Sequence, residues 1–320
     1  MKRTTKIWLT VAIVLVVFGA LLFTRIMAKS SWDFSLFDTD DYKTETIEIK
    51  EGFEQISIQS SVADITFVPA ADGKCLVEFY DPSHTTHSAT VQNQMLRIEA
   101  KDTRKWFESL TISTKSPRLT VYLPQTQYAS LQIKSTTGDI VLPEDFRIWD
   151  IDIATDTGDV TCYTPEAGGI HISTDTGDIL LENASVGELD LSVSTGHIVV
   201  SSVVCSMDLN LTVSTGKSEL TDVSCRNLNS QGNTGRMLLK NVIASGKISI
   251  ERSTGDITFD KCDAAELLIK TDTGDVSGSL LSPKVFITQS DTGRIDVPDS
   301  VNGGKCKITT DTGDIKISTP

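Results

Sequence analysis

Residues 170–181, Ile170-His-Ile-Ser-Thr-Asp-Thr-Gly-Asp-Ile-Leu-Leu181, decide the fold. Ile170 and Ile172 alternate with polar neighbours, as do Ile179 and Leu181 beyond the Thr176-Gly177 pair. A spacing of two is the period of a strand with one buried face. Glycine supplies the turn between the strands, because it accepts positive φ at little cost. The twelve residues therefore read as strand, tight turn, strand.

Working outward, the same Thr-Gly pair recurs with its glycine at Gly138, Gly158, Gly177, Gly196, Gly216, Gly235, Gly255, Gly274, Gly293 and Gly313, always 19 or 20 residues apart. Apolar residues sit seven and five positions before the glycine (Leu131/Ile133, Ile151/Ile153, Leu189/Leu191, Leu209/Leu211). They return two and four positions after it (Ile140/Leu142, Ile198/Val200, Ile257/Phe259, Ile315/Ile317). A further inward stripe is expected seven positions past the glycine, at Ala184, Val203, Val223, Val242, Cys262 and Leu281. Gln132, Lys134, Asp152, His171, Ser192 and Asn210 fall between these and point outward. A repeat this short cannot bury its apolar face alone, but stacked copies share one interior. The expectation is an all-β fold: a β-solenoid, like a single-stranded parallel β-helix, of 19–20-residue rungs stacked in chain order. The threonine before each glycine is expected to form a hydroxyl ladder.

Five segments follow. Residues 1–6 form a cytoplasmic N-terminus, 7–27 a transmembrane signal anchor and 28–45 a linker. Residues 46–130 are degenerate rungs or an N-terminal β-rich cap, with a loop over Tyr80–Gln92, and 131–320 are the regular solenoid. The anchor rests on Ile7–Phe23, which carries no charge and follows Lys2, Arg3 and Lys6. The expected location is therefore the cell membrane, single-pass, with the C-terminal part extracytoplasmic; the rival reading is a cleaved signal peptide. Composition agrees with a thin core: 39% hydrophobic and 6% aromatic residues. The net charge of −14 disfavours nucleic acid as a partner.

Phe53-Glu54-Gln55-Ile56, Ala63-Asp64-Ile65, the stretch Leu119-Thr-Val-Tyr-Leu-Pro124 and the repeated Thr-Gly-Asp-Ile resemble a bacterial family. It is the putative-adhesin family of β-strand-repeat proteins of unknown function, which includes LiaG-like envelope proteins. The resemblance covers about residues 45–320. It implies a β-solenoid at the cell envelope, with a link to envelope stress or adhesion, and brings no catalytic residues.

Three residue types could carry chemistry. Five of the six cysteines (Cys162, Cys205, Cys225, Cys262, Cys306) fill slots that other rungs give to small or apolar residues, so buried free thiols are expected. Cys205 and Cys225 stack on adjacent rungs and are the one pair near enough for a disulfide. Aspartates flank the corners, and Asp156, Asp159, Asp175, Asp178, Asp272, Asp275, Asp311 and Asp314 are weak candidates for Ca²⁺ ligands. Because His197, Lys217 and Arg236 interrupt the column, turn chemistry, with carboxylates accepting from backbone N–H groups, is the preferred reading. His84 and His87 form an H-x-x-H pair without further ligands at metal spacing.

No cofactor and no catalytic residue is expected. The preferred function is a membrane-anchored, non-enzymatic binding or scaffolding module for an envelope polymer or protein. The alternatives are a polysaccharide-active lyase or hydrolase on a β-helix, or a Ca²⁺-dependent glycan-binding protein. Uniform rung length argues against the cleft an enzyme would need.

Overall fold

The computed structural model describes residues 3–29, 42–82, 85–102 and 116–320. Helix α1 covers Arg3–Lys29, and everything described from Tyr42 onward is β-structure. Each Thr-Gly corner joins a strand ending on the threonine to one starting two residues past the glycine, as in Glu166–Thr176 and Ile179–Glu182. Rungs pair in parallel with like over like: Ile151 on Ile170 on Leu189 on Leu209, and Ile140 on Val160 on Ile179 on Ile198. At ~4.8 Å per rung, ten corners give a rod about 45–50 Å long. The inward stripes are buried as expected apart from Ile295 on the Gly293 rung and Leu281. Leu281 is exposed and its neighbour Leu280 is buried, because the strand Val276–Leu280 slips by one residue against Cys262.

Close stacking explains the glycines. The N–H of Gly158 donates to the Thr176 carbonyl at 2.9 Å, and every corner glycine from Gly138 to Gly313 except Gly293 repeats this bond. A Cβ on Gly177 would lie 2.1 Å from the Gly158 carbonyl oxygen, and φ there is +144°. The corner threonines themselves are exposed. The hydroxyl bonds expected of them come instead from the buried residue two positions earlier: Thr174, Thr271 and Thr310 donate to the carbonyls of Gly158, Gly255 and Gly274 at 3.2–3.4 Å.

The ends depart from chain order. Strands β1 (Tyr42–Ile49), β2 (Gln55–Val62), β3 (Asp64–Pro69), β4 (Cys75–Pro82), β5 (Thr85–Gln92), β6 (Met95–Asp102), β7 (Arg118–Leu123), β8 (Gln127–Thr137) and β9 (Ile140–Leu142) build the N-terminal end. The rung β2–β3 lies directly under β8–β9, with Ala63 at the corner, while β6–β7, later in the chain, lies outside it. Antiparallel β5 then covers β6, β4 covers β7, and β1 covers β4. The loop expected over Tyr80–Gln92 is thus mostly strand: this end has an open sheet edge, and β5 hydrogen-bonds to it.

At the other end the expected order is also corrected. Gly274 donates to Thr312, and Gly313 donates to Thr292, so the Gly313 rung sits between the Gly274 and Gly293 rungs. Strand Gly304–Thr312 pairs with Glu266–Thr273 on one edge and Lys284–Thr292 on the other. Buried Lys284 pins the start of the displaced rung, donating to the Ala264 carbonyl at 2.6 Å and to Ser282 at 2.8 Å and pairing with Asp263. Burial pushes the Asp263 carboxyl up, but hydrogen bonds from Lys284 and Ser282 outweigh it and hold the group below its ordinary value. Among the described residues no strand pairs with the outer edge of Lys284–Thr292.

Among the described residues no helix is long and apolar enough to cross a membrane.

Candidate functional site

The acidic corners resolve into a hydrogen-bond ladder. Asp64 Oδ1 accepts from the Asp139 N–H at 3.0 Å, Asp139 from Asp159 at 2.8 Å, Asp159 from Asp178 at 2.8 Å, and Asp178 from His197 at 2.7 Å. His197 continues the column, its Nδ1 accepting from the Lys217 N–H at 3.1 Å. An acceptor at this nitrogen places the ring proton on Nε2. Lys217 has no acceptor and the ladder stops there, resuming from Asp256 to Asp275, Asp314 and Arg294. Asp159, Asp178, Asp275 and Asp314 therefore spend an oxygen on the next rung's amide, as turn chemistry requires. Asp156, Asp175, Asp272 and Asp311 lie on the exposed strand face two residues before the glycine; Asp175 meets Ser194 and Asp272 meets Lys270. Among the described residues no three His, Cys, Asp or Glu side chains converge as a metal site would need.

All six cysteines are free and buried, Cys205 and Cys225 included. Burial pushes the thiols of Cys162 and Cys262 up to about 11, and those of Cys75, Cys225 and Cys306 up to about 12. None is poised as a nucleophile at neutral pH. His84 lies outside the described residues. His87 is buried in the cap, stacked on Phe79 with ring centroids 4.2 Å apart. Its Nδ1 meets Glu45 at 2.8 Å and its Nε2 meets Asp81 at 2.8 Å. The three residues come from β5, β1 and β4, so the cluster clamps the cap strands together. No spacing rule in the sequence could have joined them.

The surface feature the sequence reading passed over is a second corner. Nine residues before successive corner glycines stand Trp149, Gly168, Gly187, Met207, Arg226 and Gly246. They stack: Met207 N–H donates to the Gly187 carbonyl, Arg226 to Met207 and Gly246 to Arg226, at 2.8–2.9 Å. The Trp149 indole lies over Gly168, where an added Cβ would come within 2.4 Å of the ring. Even so, Trp149 is 58% exposed and Met207 41%. The result is an apolar saddle, an indole and a thioether flanking two bare glycines. Polar groups border it. Arg226 Nε donates to Asp208 Oδ1 at 2.8 Å and Asn227 Nδ2 to the same oxygen at 2.9 Å, and these bonds hold the Asp208 carboxyl below its ordinary value. The cue in the sequence was a bulky aromatic in a column otherwise held by Gly, Met and Arg.

The sequence profile of the Toastrack DUF4097 family matches residues 53–217 and 206–320, nearly the whole β-structure. The chain belongs to that family. The resemblance read from the sequence agrees with it. The Toastrack chain also has weak likenesses among solved structures. A putative lipid binding protein from Parabacteroides distasonis ATCC 8503 shares 12% identity over 87% of this chain and 98% of that chain, with a TM-score of 0.45. A putative adhesin from Parabacteroides merdae ATCC 43184 shares 11% identity over 88% and 98%, with a TM-score of 0.45. A putative cell adhesion protein from Clostridium sporogenes ATCC 15579 shares 10% identity over 88% and 100%, with a TM-score of 0.28. At such identity and scores these likenesses carry nothing about function. Among curated proteins none matches.

Proposed function

We propose that this Toastrack chain is a binding module without catalytic activity, a rod that presents its second corner to a polymer of the cell envelope. The carrying observation is Trp149, more than half exposed over a glycine column cleared of side chains. An exposed aromatic joined to bare glycines and a thioether forms an apolar patch, and such patches rimmed by polar residues mark interaction sites. An indole and the Met207 thioether at either end of two bare glycines, with Asp208, Arg226 and Asn227 at hand for hydrogen bonds, suit the alternating apolar faces and hydroxyl edges of a glycan. The saddle runs over four stacked rungs along the rod axis, so an extended chain lying parallel to that axis covers all of it. The buried thiols, the amide-bound aspartates and the uniform rung length all favour binding over turnover.

We also propose that the N-terminal helix tethers the rod to a membrane, with the β-structure on the extracytoplasmic side. The support is the uncharged run Ile7–Phe23 preceded by Lys2, Arg3 and Lys6, together with the exposure of the described apolar side chains of α1, among them Leu15, Phe18 and Leu22. Extraction of the full chain from cell membranes by alkaline carbonate would oppose the tether, and retention until detergent is added would support it.

Co-sedimentation of the full-length detergent-solubilised protein with insoluble envelope polysaccharide tests the binding site. Trp149→Ala is expected to weaken binding about tenfold or more, in line with ~1–3 kcal/mol for a stacked aromatic contact. Equal binding by Trp149→Ala and wild type would remove the second corner as the site.

A further inference from the structure

Inside the rod, three consecutive rungs break the apolar pattern together. Ser218 stands two past Gly216, where other rungs hold Ile, Val or Met. Ser230 stands five before Gly235, where interior rungs hold Ile or Leu, and Gly232 stands three before it. The fourth departure is Arg252, three before Gly255, at a slot that is otherwise Ser, Thr, Val or Gly. Arg252 is only 3% exposed. Its Nη2 donates to Ser218 Oγ and Ser230 Oγ at 3.0 Å each and lies 3.6 Å from Met237 Sδ. Gly232 gives it room, since a Cβ there would fall 1.8 Å from Nη1. The side chains trimmed at positions 218, 230 and 232 together outweigh the one lengthened at 252.

Arg252 Nε and Nη1 have no hydrogen-bond partner, and among the described residues no carboxylate pairs with the guanidinium. Burial alone acts on it, drawing its value down to about 10, so it stays charged at neutral pH. An unpaired charge this deep costs several kcal/mol unless something of opposite sign joins it. The one fully buried carboxylate among the described residues, Asp81, belongs to the N-terminal cap and meets His87 there. Water could fill the three free N–H positions but cannot neutralise them.

We propose that this chamber binds a small monovalent anion of halide size, held by Arg252 Nε and Nη1 with the Ser218 and Ser230 hydroxyls alongside.

The test uses the full-length protein. Thermal unfolding is followed in chloride or bromide against gluconate at constant ionic strength, and crystals grown in bromide are examined for anomalous scattering. Wild type is expected to gain several degrees in Tm with halide, by preferential binding to the folded state. Arg252→Met should lose that gain. If Arg252→Met does not fold, the variant S218I/S230I/G232V/R252T, which restores the apolar pattern, replaces it and should melt independently of halide. A bromide peak within hydrogen-bond distance of Nε and Nη1 supports the site. Water alone at that position, or a halide response shared equally by wild type and the repaired variant, overturns it.

Discussion

At the N-terminal end of the rod the outermost rung, β6–β7, is covered by antiparallel β5 and β4, and β1 covers β4 in turn. Leu96 on β6 is fully buried there. At the C-terminal end the outermost rung, that of Gly293, has no strand beyond it among the described residues, and Ile287 and Ile295 stand 51% and 45% exposed. The difference follows from the repeat itself. A parallel stack that keeps its register always presents another edge ready for one more rung. Closing it requires strands that run the other way, hence a segment that abandons the period. Residues 42–102 abandon it and form a cap; residues 280–320 keep it and leave an edge.

The largest effect should come from removing residues 304–320. Chain order would make this the loss of one end rung. In the structure it removes the inner partner of the Gly293 rung, together with buried Cys306, Ile308, Ile315 and Ile317, each worth about 1.5–3 kcal/mol. Hydrogen exchange should show protection lost over residues 284–296 as well, while the capped end keeps its own. Protection persisting at 284–296 would mean that the Gly293 rung docks directly on the Gly274 rung.

Next comes the corner. Gly177→Ala must push a Cβ against the Gly158 carbonyl and is expected to cost about 3–5 kcal/mol in urea unfolding, the range of the most damaging single changes. Ala63 already serves at the equivalent corner of β2–β3, and Ala63→Gly should cost no more than about 1 kcal/mol. His87→Ala should destabilise the cap by about 1.5–3 kcal/mol, because buried Asp81 loses a charged hydrogen bond. Exchange should quicken in β1, β4 and β5 and leave the Gly293 rung unchanged.

Thiol labelling compares the ends kinetically. Cys306 lies one rung inside the open end and Cys162 lies mid-rod, so under native conditions Cys306 should react roughly tenfold faster or more, through fraying of the last rungs. The same thiols set an alkaline limit. Their folded values, about 11 for Cys162 and about 12 for Cys306, lie above the ordinary 9.0. The unfolded chain releases these protons first, so their contribution is intact below about pH 9 and is lost as pH rises towards 12. The smallest effect is expected from Asp178→Ala, about 1 kcal/mol for one amide acceptor in the ladder. Asp178→Asn, which keeps an acceptor oxygen, should recover most of it.

Much of this was legible in the residues. The Thr-Gly period located ten corners and their apolar flanks, because like-over-like stacking obliges every rung to repeat the same choices. Spatial order was not legible at either end, since the Gly293 and Gly313 rungs offer the Gly274 rung almost the same slots. The one hint is Thr288, which puts a hydroxyl where interior rungs bury Ile or Leu and so suits an outermost place. Trp149 escaped because the nine-before position belongs to no apolar stripe. The His87 clamp escaped because its members are brought together by antiparallel pairing that follows no period.

Inserting the last strand between two earlier rungs also changes how the rod bears load. Force applied at the C-terminus falls first on strand Ile315–Ser318 and then on Gly304–Thr312, each hydrogen-bonded along both edges, so two ladders must shear together before the chain pays out. A solenoid wound in plain chain order would peel one edge at a time, whereas here the tail is stitched beneath the final turn.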